Sequence, residues 1–206
     1  MKKGKIWSVV LGGVVLVPVI MILSVPSEKA EKVSMVSVCS NLTKDRMKSP
    51  SSYILGESVV LVKEASASDI AAKFGDESKA RLRRFIEGGQ LQYKLAEVYI
   101  DYEAKNSFGT LLKNSAACYY DIISSDSGNS YTMARADIGG HSFSGADLGI
   151  MVGVDDGRIG RGGFMQKYEY LKTVLSGVCV QDKYIALALP PLGWGGLCQN
   201  FNIWQP

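Results

Sequence analysis

An uncharged apolar segment near the N-terminus is the feature that most constrains how this chain can fold. The segment runs from Ile6 to Val25 and follows three lysines, Lys2, Lys3 and Lys5. A helix that rises about 1.5 Å per residue needs about 20 such residues to cross the ~30 Å hydrocarbon core of a membrane. Because lysines beside such a segment stay in the cytoplasm, we expect everything after Val25 to lie on the far side.

Two interpretations of this segment stay open. An uncleaved single-pass anchor would keep residues 6–25 in the membrane, and the sequence favours it because the apolar run is long. A cleaved signal peptide has a shorter apolar core, roughly 7–15 residues, followed by small residues at the cleavage site. The best such site follows Ser27, with Val25 and Ser27 at the two specificity positions. We therefore expect an extracytoplasmic domain, in the periplasm or at the cell surface, or a protein secreted after cleavage near Ser27.

The exported part of the chain carries no net charge. The formal charge of the whole chain is +3, and the three N-terminal lysines supply all of it. A sequence pI near 8.6 would otherwise suggest a nucleic-acid partner. Since residues 28–206 hold equal numbers of basic and acidic side chains, no nucleic-acid partner is expected.

Four cysteines, Cys39, Cys118, Cys179 and Cys198, all lie in the exported part. An even number of cysteines in an oxidising compartment predicts two disulfides, and three pairings satisfy that count. Free buried thiols are the alternative. The cysteines are scattered singly, unlike the close pairs of structural zinc sites, so no metal site is predicted.

The pattern after residue 27 predicts an α+β fold, with helices packed on an antiparallel sheet. Residues 97–105 alternate in polarity and residues 112–122 resume a strand pattern, which predicts a β-hairpin around the turn residues 106–109. Residues 124–130 and 139–145 are polar or glycine-rich and are predicted as loops. Further helices are predicted at 33–47, 68–74, 76–87 and 164–175, and further strands at 53–64, 131–138, 148–154 and 184–189.

Glycine-rich stretches concentrate after residue 138 and suggest three regions in the chain. Residues 1–27 are the membrane anchor or signal peptide. Residues 28–123 form an exported α+β domain. Residues 124–206 form a glycine-rich, β-containing region that belongs to the same domain or folds beside it.

Four features occur in a fixed order along residues 39–122. They are Cys39 on an early helix, the motif Pro50-Ser51-Ser52-Tyr53 before a strand, the motif Lys105-Asn106-Ser107-Phe108-Gly109 after the alternating strand, and Cys118 beyond it. This pattern resembles a loose group of small, mostly uncharacterised bacterial exported or membrane-anchored proteins.

The resemblance implies a helix packed on an antiparallel sheet. It also implies that Cys39 pairs with Cys118, which leaves Cys179 and Cys198 as the second pair. It implies no catalytic residue and no cofactor.

The segment from Gly140 to Gly145 comes close to the Gly-x-Ser-x-Gly elbow of serine hydrolases. Ser144 stands where the second glycine should be, and the only histidine of the chain, His141, precedes Ser142. In that hydrolase class the histidine base follows the serine in sequence. A hydrolase of this type is therefore excluded, and both serines are interpreted as polar loop residues.

Two classes of function follow from these observations. The first is a non-enzymatic binding or assembly module of the bacterial envelope, with another envelope protein as its partner, because the chain combines an anchor and disulfides with no catalytic set. The second is an envelope hydrolase that acts on cell-wall or glycan material through carboxylates such as Asp137, Asp147, Asp155 and Asp156. A deep cleft lined by carboxylates would favour the hydrolase, and a flat apolar patch would favour the module.

Overall fold

The computed structural model of the chain describes residues 22–126, 128–156, 164–175 and 180–182. Its helices are α1 (Ser27–Asp45), α2 (Ala67–Phe74), α3 (Ala80–Glu87), α4 (Gly145–Asp156) and α5 (Phe164–Leu175), with short 3₁₀ turns at Pro50–Ser52 and Glu77–Lys79. Its strands are β1 (Ile54–Glu64), β2 (Gln92–Lys105), β3 (Leu111–Ser125), β4 (Gly128–Ile138), β5 (His141–Ser144) and β6 (Val180–Asp182). The α+β prediction is confirmed.

The strands form one sheet in the order β5-β4-β3-β2-β1-β6. Each strand from β1 to β4 pairs antiparallel with the strand that follows it, and β6 pairs in parallel with β1 at the far edge. The predicted hairpin is confirmed as β2 and β3, and it extends beyond the predicted bounds at both ends. The antiparallel part of the sheet is thus a meander in which neighbours in sequence are neighbours in space.

The turn of the β2–β3 hairpin is fixed by two residues with special chemistry. The side-chain oxygen of Asn106 accepts hydrogen bonds from the backbone N–H groups of Phe108 and Thr110, at 2.9 and 3.0 Å. Gly109 has φ +81°, a left-handed conformation that residues with a Cβ adopt at a cost. Asn106 and Gly109 therefore form the turn that joins the two strands of the hairpin.

Helix α1 packs across the centre of one sheet face. The hydroxyl of Tyr120, which is fully buried, donates a hydrogen bond to the carbonyl oxygen of Met35 at 2.8 Å. Cys39 and Cys118 form a disulfide with their Cα atoms 5.9 Å apart, as the resemblance implied. The core around this contact consists of inward-facing residues from α1, β2, β3 and β4, among them Val36, Leu42, Val98, Ile100, Ile122 and Met133.

The other side of α1 is covered by α5, so that α1 lies between the sheet and α5. This position buries two ionisable side chains of α1, Glu31 and Lys32. The carboxylate of Glu31 accepts hydrogen bonds from the hydroxyl of Tyr131 and from the side-chain amide of Asn129. Lys32 forms an ion pair with Glu28, at 2.8 Å. Burial of these charges is tolerated because each has a partner.

Helices α2 and α3 pack on one end of the opposite sheet face. The Phe74 ring meets the Tyr93 ring edge-on, with centroids 4.9 Å apart. The Tyr93 hydroxyl donates to one carboxylate oxygen of Asp121, and Lys73 forms an ion pair with the other, both at 2.5 Å. A capping box, in which Ser66 and Asp69 exchange hydrogen bonds, begins α2.

The prediction of loops at residues 124–130 and 139–145 is wrong, because both segments contain strand residues. Residues 124–130 are the tight link of the β3–β4 hairpin, with Ser124 paired to Asn129. Residues 139–145 include β5, which follows Ile138 through a two-residue turn. Gly139 and Gly140 have φ of +59° and +81° there, the pattern of a type I′ hairpin turn. Because both segments are polar or glycine-rich, the sequence pattern predicted loops there and not hairpins.

The strand predicted at 148–154 is also wrong, since these residues lie in helix α4. Leu148 and Val152 are four residues apart and both are buried against the core, as expected for one face of a helix. A short apolar run does not distinguish a strand from a helix by its period alone. The four predicted helices are confirmed, three with shifted ends and the one at 164–175 with the predicted bounds, and the segment 76–87 begins as a 3₁₀ turn.

Several predictions fall on residues outside the described part of the chain. These are most of the anchor at 6–25, the strand at 184–189 and the pair Cys179–Cys198. No helix within the described ranges is long and apolar enough to cross a membrane. Strands β4 and β5, from the glycine-rich region, belong to the same sheet as β1 to β3.

Replacing both Cys39 and Cys118 by alanine should lower the free energy of unfolding by about 2–4 kcal/mol. The disulfide joins residues 79 positions apart, so its loss releases a long loop in the unfolded chain. Urea denaturation of the unreduced full-length protein measures the change. A loss below about 0.5 kcal/mol, the scatter of an ordinary surface substitution, would contradict a structural role for this disulfide.

Candidate binding surface on the open sheet face

On the sheet face opposite α1, no element in the described part of the chain covers two neighbouring rows of side chains. Each row crosses five strands, because the register aligns one residue from each of β1 to β5. All ten side chains are half-buried or exposed, and α2 and α3 pack only on the adjacent part of this face. We call these rows the open face: Leu61, Glu97, Tyr119, Arg135 and Ser144 in the first, and Val59, Tyr99, Ala117, Asp137 and Ser142 in the second.

A β-bulge in β4 decides which side chains reach the open face. Tyr119 pairs with Arg135 but Tyr120 pairs with Met133, so Ala134 is an extra residue on β4. The bulge reverses the alternation of side chains along the strand. Met133 therefore lies in the core, whereas Arg135, two residues later, lies on the open face.

Glu97 and Tyr99 form a fixed polar pair at the β1 side of the open face. The Tyr99 hydroxyl donates to Glu97 Oε2 at 2.8 Å, and Lys63 Nζ lies 3.1 Å from Glu97 Oε1. The hydrogen bond from Tyr99 and the contact with Lys63 lower the pKa of Glu97. The same hydrogen bond raises the pKa of Tyr99. Near neutral pH the pair thus consists of a carboxylate and a neutral phenol.

Arg135 and Asp137 form a second fixed pair at the β4 side. The Arg135 guanidinium lies 4.2 Å above the Tyr119 ring and donates to Asp137 Oδ2 at 2.6 Å. Partial burial tends to raise the pKa of Asp137, but the Ser142 hydroxyl and Arg135 act against it, and the net shift is downward. Asp137 Oδ1 is buried and has no hydrogen-bond partner among the described residues. Asp137 is therefore held as an ionised carboxylate.

An open depression of about 410 Å³ lies beside this pair, lined by Arg135, Asp137, Gly140, His141 and Ser142. Ser142 is a strand residue of β5 and not the predicted loop residue. Alternation along β5 directs Ser142 and His141 to opposite faces, and the His141 ring lies near that of Phe143, at 6.3 Å between centroids. The depression is thus lined by a serine, a histidine and a carboxylate, but no hydrogen bond joins Ser142 to His141 in the described part of the chain.

The residues proposed for a hydrolase lie on two different elements of the fold. Asp137 lies on β4, and Asp147 lies in the first turn of α4. Asp155 and Asp156 end the same helix, and eight residues of helix separate Asp147 from Asp155 by about 12 Å along its axis. Glycosidase carboxyl pairs are about 5–9.5 Å apart. No cluster of three or more His, Cys, Asp or Glu side chains within the described ranges could hold a metal ion.

Sequence analysis did not identify Tyr119, Arg135 or Ser142 as members of one surface. Their association depends on the register of β3, β4 and β5, and on the bulge at Ala134. The Gly139-Gly140 dipeptide between two alternating segments was the one local signal for β5.

The Asp137 carboxyl should titrate below its ordinary pKa of 3.8. Because the folded-state pKa is lowered, the Arg135–Asp137 pair stabilises the fold above about pH 4 and loses this contribution as the pH falls further. In Arg135→Gln, the midpoint for Asp137 should rise, as followed by ¹³C NMR of the carboxyl carbon. Asp69 is the internal control, since its pKa is lowered by Ser66 and should not respond. An unchanged Asp137 midpoint in the variant would show that Arg135 does not set it.

No protein-family model, no curated protein and no solved structure matches the chain.

Proposed function

We propose that the chain is a non-enzymatic extracytoplasmic binding or assembly module of the bacterial envelope, and that the open face is a contact surface for its partner. The observation that carries this proposal is the difference between the two sheet faces. One is covered by α1, whereas the open face presents tyrosines and paired charges that no described element covers. Tyrosine and arginine are enriched where protein interfaces gain most of their binding energy.

The side chains of the open face are already held in place before any partner binds. Tyr99 is fixed by Glu97, and Arg135 is fixed between the Tyr119 ring and Asp137. Ordering a long side chain on binding costs about 0.5–1.5 kcal/mol, and preorganised groups avoid part of that cost. The ion pairs add orientation, because a partner with a misplaced charge would be repelled.

The location of the module in the envelope is part of the same proposal. Residues 6–25 would anchor it in the membrane, with the domain on the extracytoplasmic side. The Cys39–Cys118 disulfide supports this location, since such bonds persist mainly in oxidising compartments. In the alternative, cleavage near Ser27 releases the domain. The hydrolase alternative gains no support from the open face, where Asp137 and Glu97 both have lowered pKa values and a general acid needs a raised one.

A photo-crosslinking residue placed at Tyr99 of the full-length protein, in the cells that make it, should form a discrete adduct with an envelope protein. Tyr168 on α5 is the matched control, because it is an equally exposed tyrosine, 46% against 40%, outside the open face. Adding Arg135→Ala should reduce the Tyr99 adduct several-fold. Adducts of equal yield at both positions, or none at Tyr99, would remove the basis for this contact surface.

The intact mass of the protein from the membrane fraction tests its location. An anchored protein should have the full-length mass, whereas a released one should begin at Glu28 and leave the membrane fraction. Reduction should add four hydrogens if all four cysteines are paired. A gain of two would leave only the Cys39–Cys118 pair, and no gain would contradict an oxidised domain.

A further inference from the structure

The β2–β3 hairpin extends beyond the strands beside it. Residues 111–115 of β3 pair with β2, but pairing with β4 begins only at Ala116, opposite Ile138. Within the described chain, this stretch of β3 therefore has a strand on one side only. The side-chain oxygen of Asn114 accepts a hydrogen bond from the Ser115 N–H at 2.9 Å.

The hairpin also exposes large apolar side chains. Phe108 at the turn is 90% exposed, and Leu111 and Leu112 are about half exposed. An edge strand with exposed apolar residues is a template on which another chain can pair. Such an edge is usually blunted in proteins that do not use it.

A groove lies next to this edge, between the hairpin and the C-terminal end of α1. It encloses about 290 Å³. Its apolar lining comes from Met47, Tyr102 and Leu112, and its cationic lining comes from Arg46, Lys48 and Lys105. No carboxylate of the described residues lines it. Its charge therefore complements an acidic ligand and not a basic one.

The groove lies at the end of the domain remote from the chain segment that enters α1. Glu31, near the start of α1, contacts Asn129 beside the β3–β4 turn, whereas Met47, just after α1, lies beside the β2–β3 hairpin. The 19 residues of α1 span about 28 Å between these ends. A partner could thus reach the groove without contacting the region around Ser27.

We propose that the groove and the neighbouring edge of β3 bind an extended acidic segment of another protein by β-strand addition. The backbone of the segment pairs with residues 111–115, and its acidic side chains meet Arg46 and Lys48 on the groove side. Its alternate, apolar side chains lie on the other face of the strand and pack on Leu111. Main-chain pairing supplies affinity in this mode of recognition, and the side chains supply selectivity. This surface is separate from the open face and does not depend on the function proposed for it.

The test uses the purified full-length protein in detergent and fluorescein-labelled octapeptides that alternate glutamate and valine, or lysine and valine, read by anisotropy. The glutamate peptide should bind and the lysine peptide should bind at least tenfold more weakly. Lys48→Gln should weaken binding of the glutamate peptide about fivefold, because Lys48 lines the groove. Lys113→Gln is the matched control, since Lys113 is 88% exposed and pairs with Glu103 on the other face of the same hairpin. It should leave binding unchanged.

Two N-methylated forms of the glutamate peptide separate strand addition from simple charge attraction. In an extended peptide, the backbone N–H groups of the glutamates point to one edge and those of the valines to the other edge. A peptide that pairs through one edge should therefore lose binding when one of these two sets is N-methylated and keep binding when the other set is. If both forms bind like the parent, or an anionic polysaccharide such as polygalacturonate binds more tightly, the groove recognises charge alone and strand addition is overturned. Equal binding of the lysine peptide, an equal effect of both lysine substitutions, or no binding at about 1 mM would also overturn it.

Discussion

The contact between α1 and the centre of the sheet is the interaction on which the rest of the structure depends. It combines a disulfide, the hydrogen bond from Tyr120 to the Met35 carbonyl, and a continuous apolar core. A buried tyrosine hydroxyl needs a partner, and the helix backbone supplies it. Because α5 packs on α1, the position of α1 determines where α5 can lie. The disulfide fixes α1 along the sheet as well as against it, since Cys118 occupies one register position of β3.

The two faces of the sheet differ in the kind of side chain that they carry. The face under α1 is apolar and its few polar groups are paired, as with Glu31 and Tyr131. The open face carries its charges in short local pairs, Glu97 with Tyr99 and Arg135 with Asp137. Ion pairs at the surface contribute little to stability. In the proposed function, the two pairs of the open face present a defined pattern of donors, acceptors and rings to a partner.

Local patterns predicted most of the elements, and long-range register explains what they missed. The hairpin around Asn106 was predictable, since polarity alternates on both strands and Asn106 and Gly109 suit a turn. Helix α4 was missed because the apolar run that begins at Leu148 reads equally as a strand. The pairing of Cys39 came from a resemblance and not from spacing. The open face was beyond prediction, because no local pattern says that Tyr119 stands opposite Arg135.

The extra residue at Ala134 makes strand phase, and not only composition, a determinant of what this protein displays. If β4 paired through Ala134 without a bulge, strict alternation would put Arg135 and Asp137 in phase with the apolar positions of Tyr131 and Met133. Two charges would then be turned toward the packed side of the sheet, and Ala136 and Ile138 toward solvent. Deletion of Ala134 would instead join Met133 directly to Arg135, and both sets of side chains would keep their present faces. The composition of β4 alone therefore does not decide which face its charges occupy, because the bulge sets the phase of the strand.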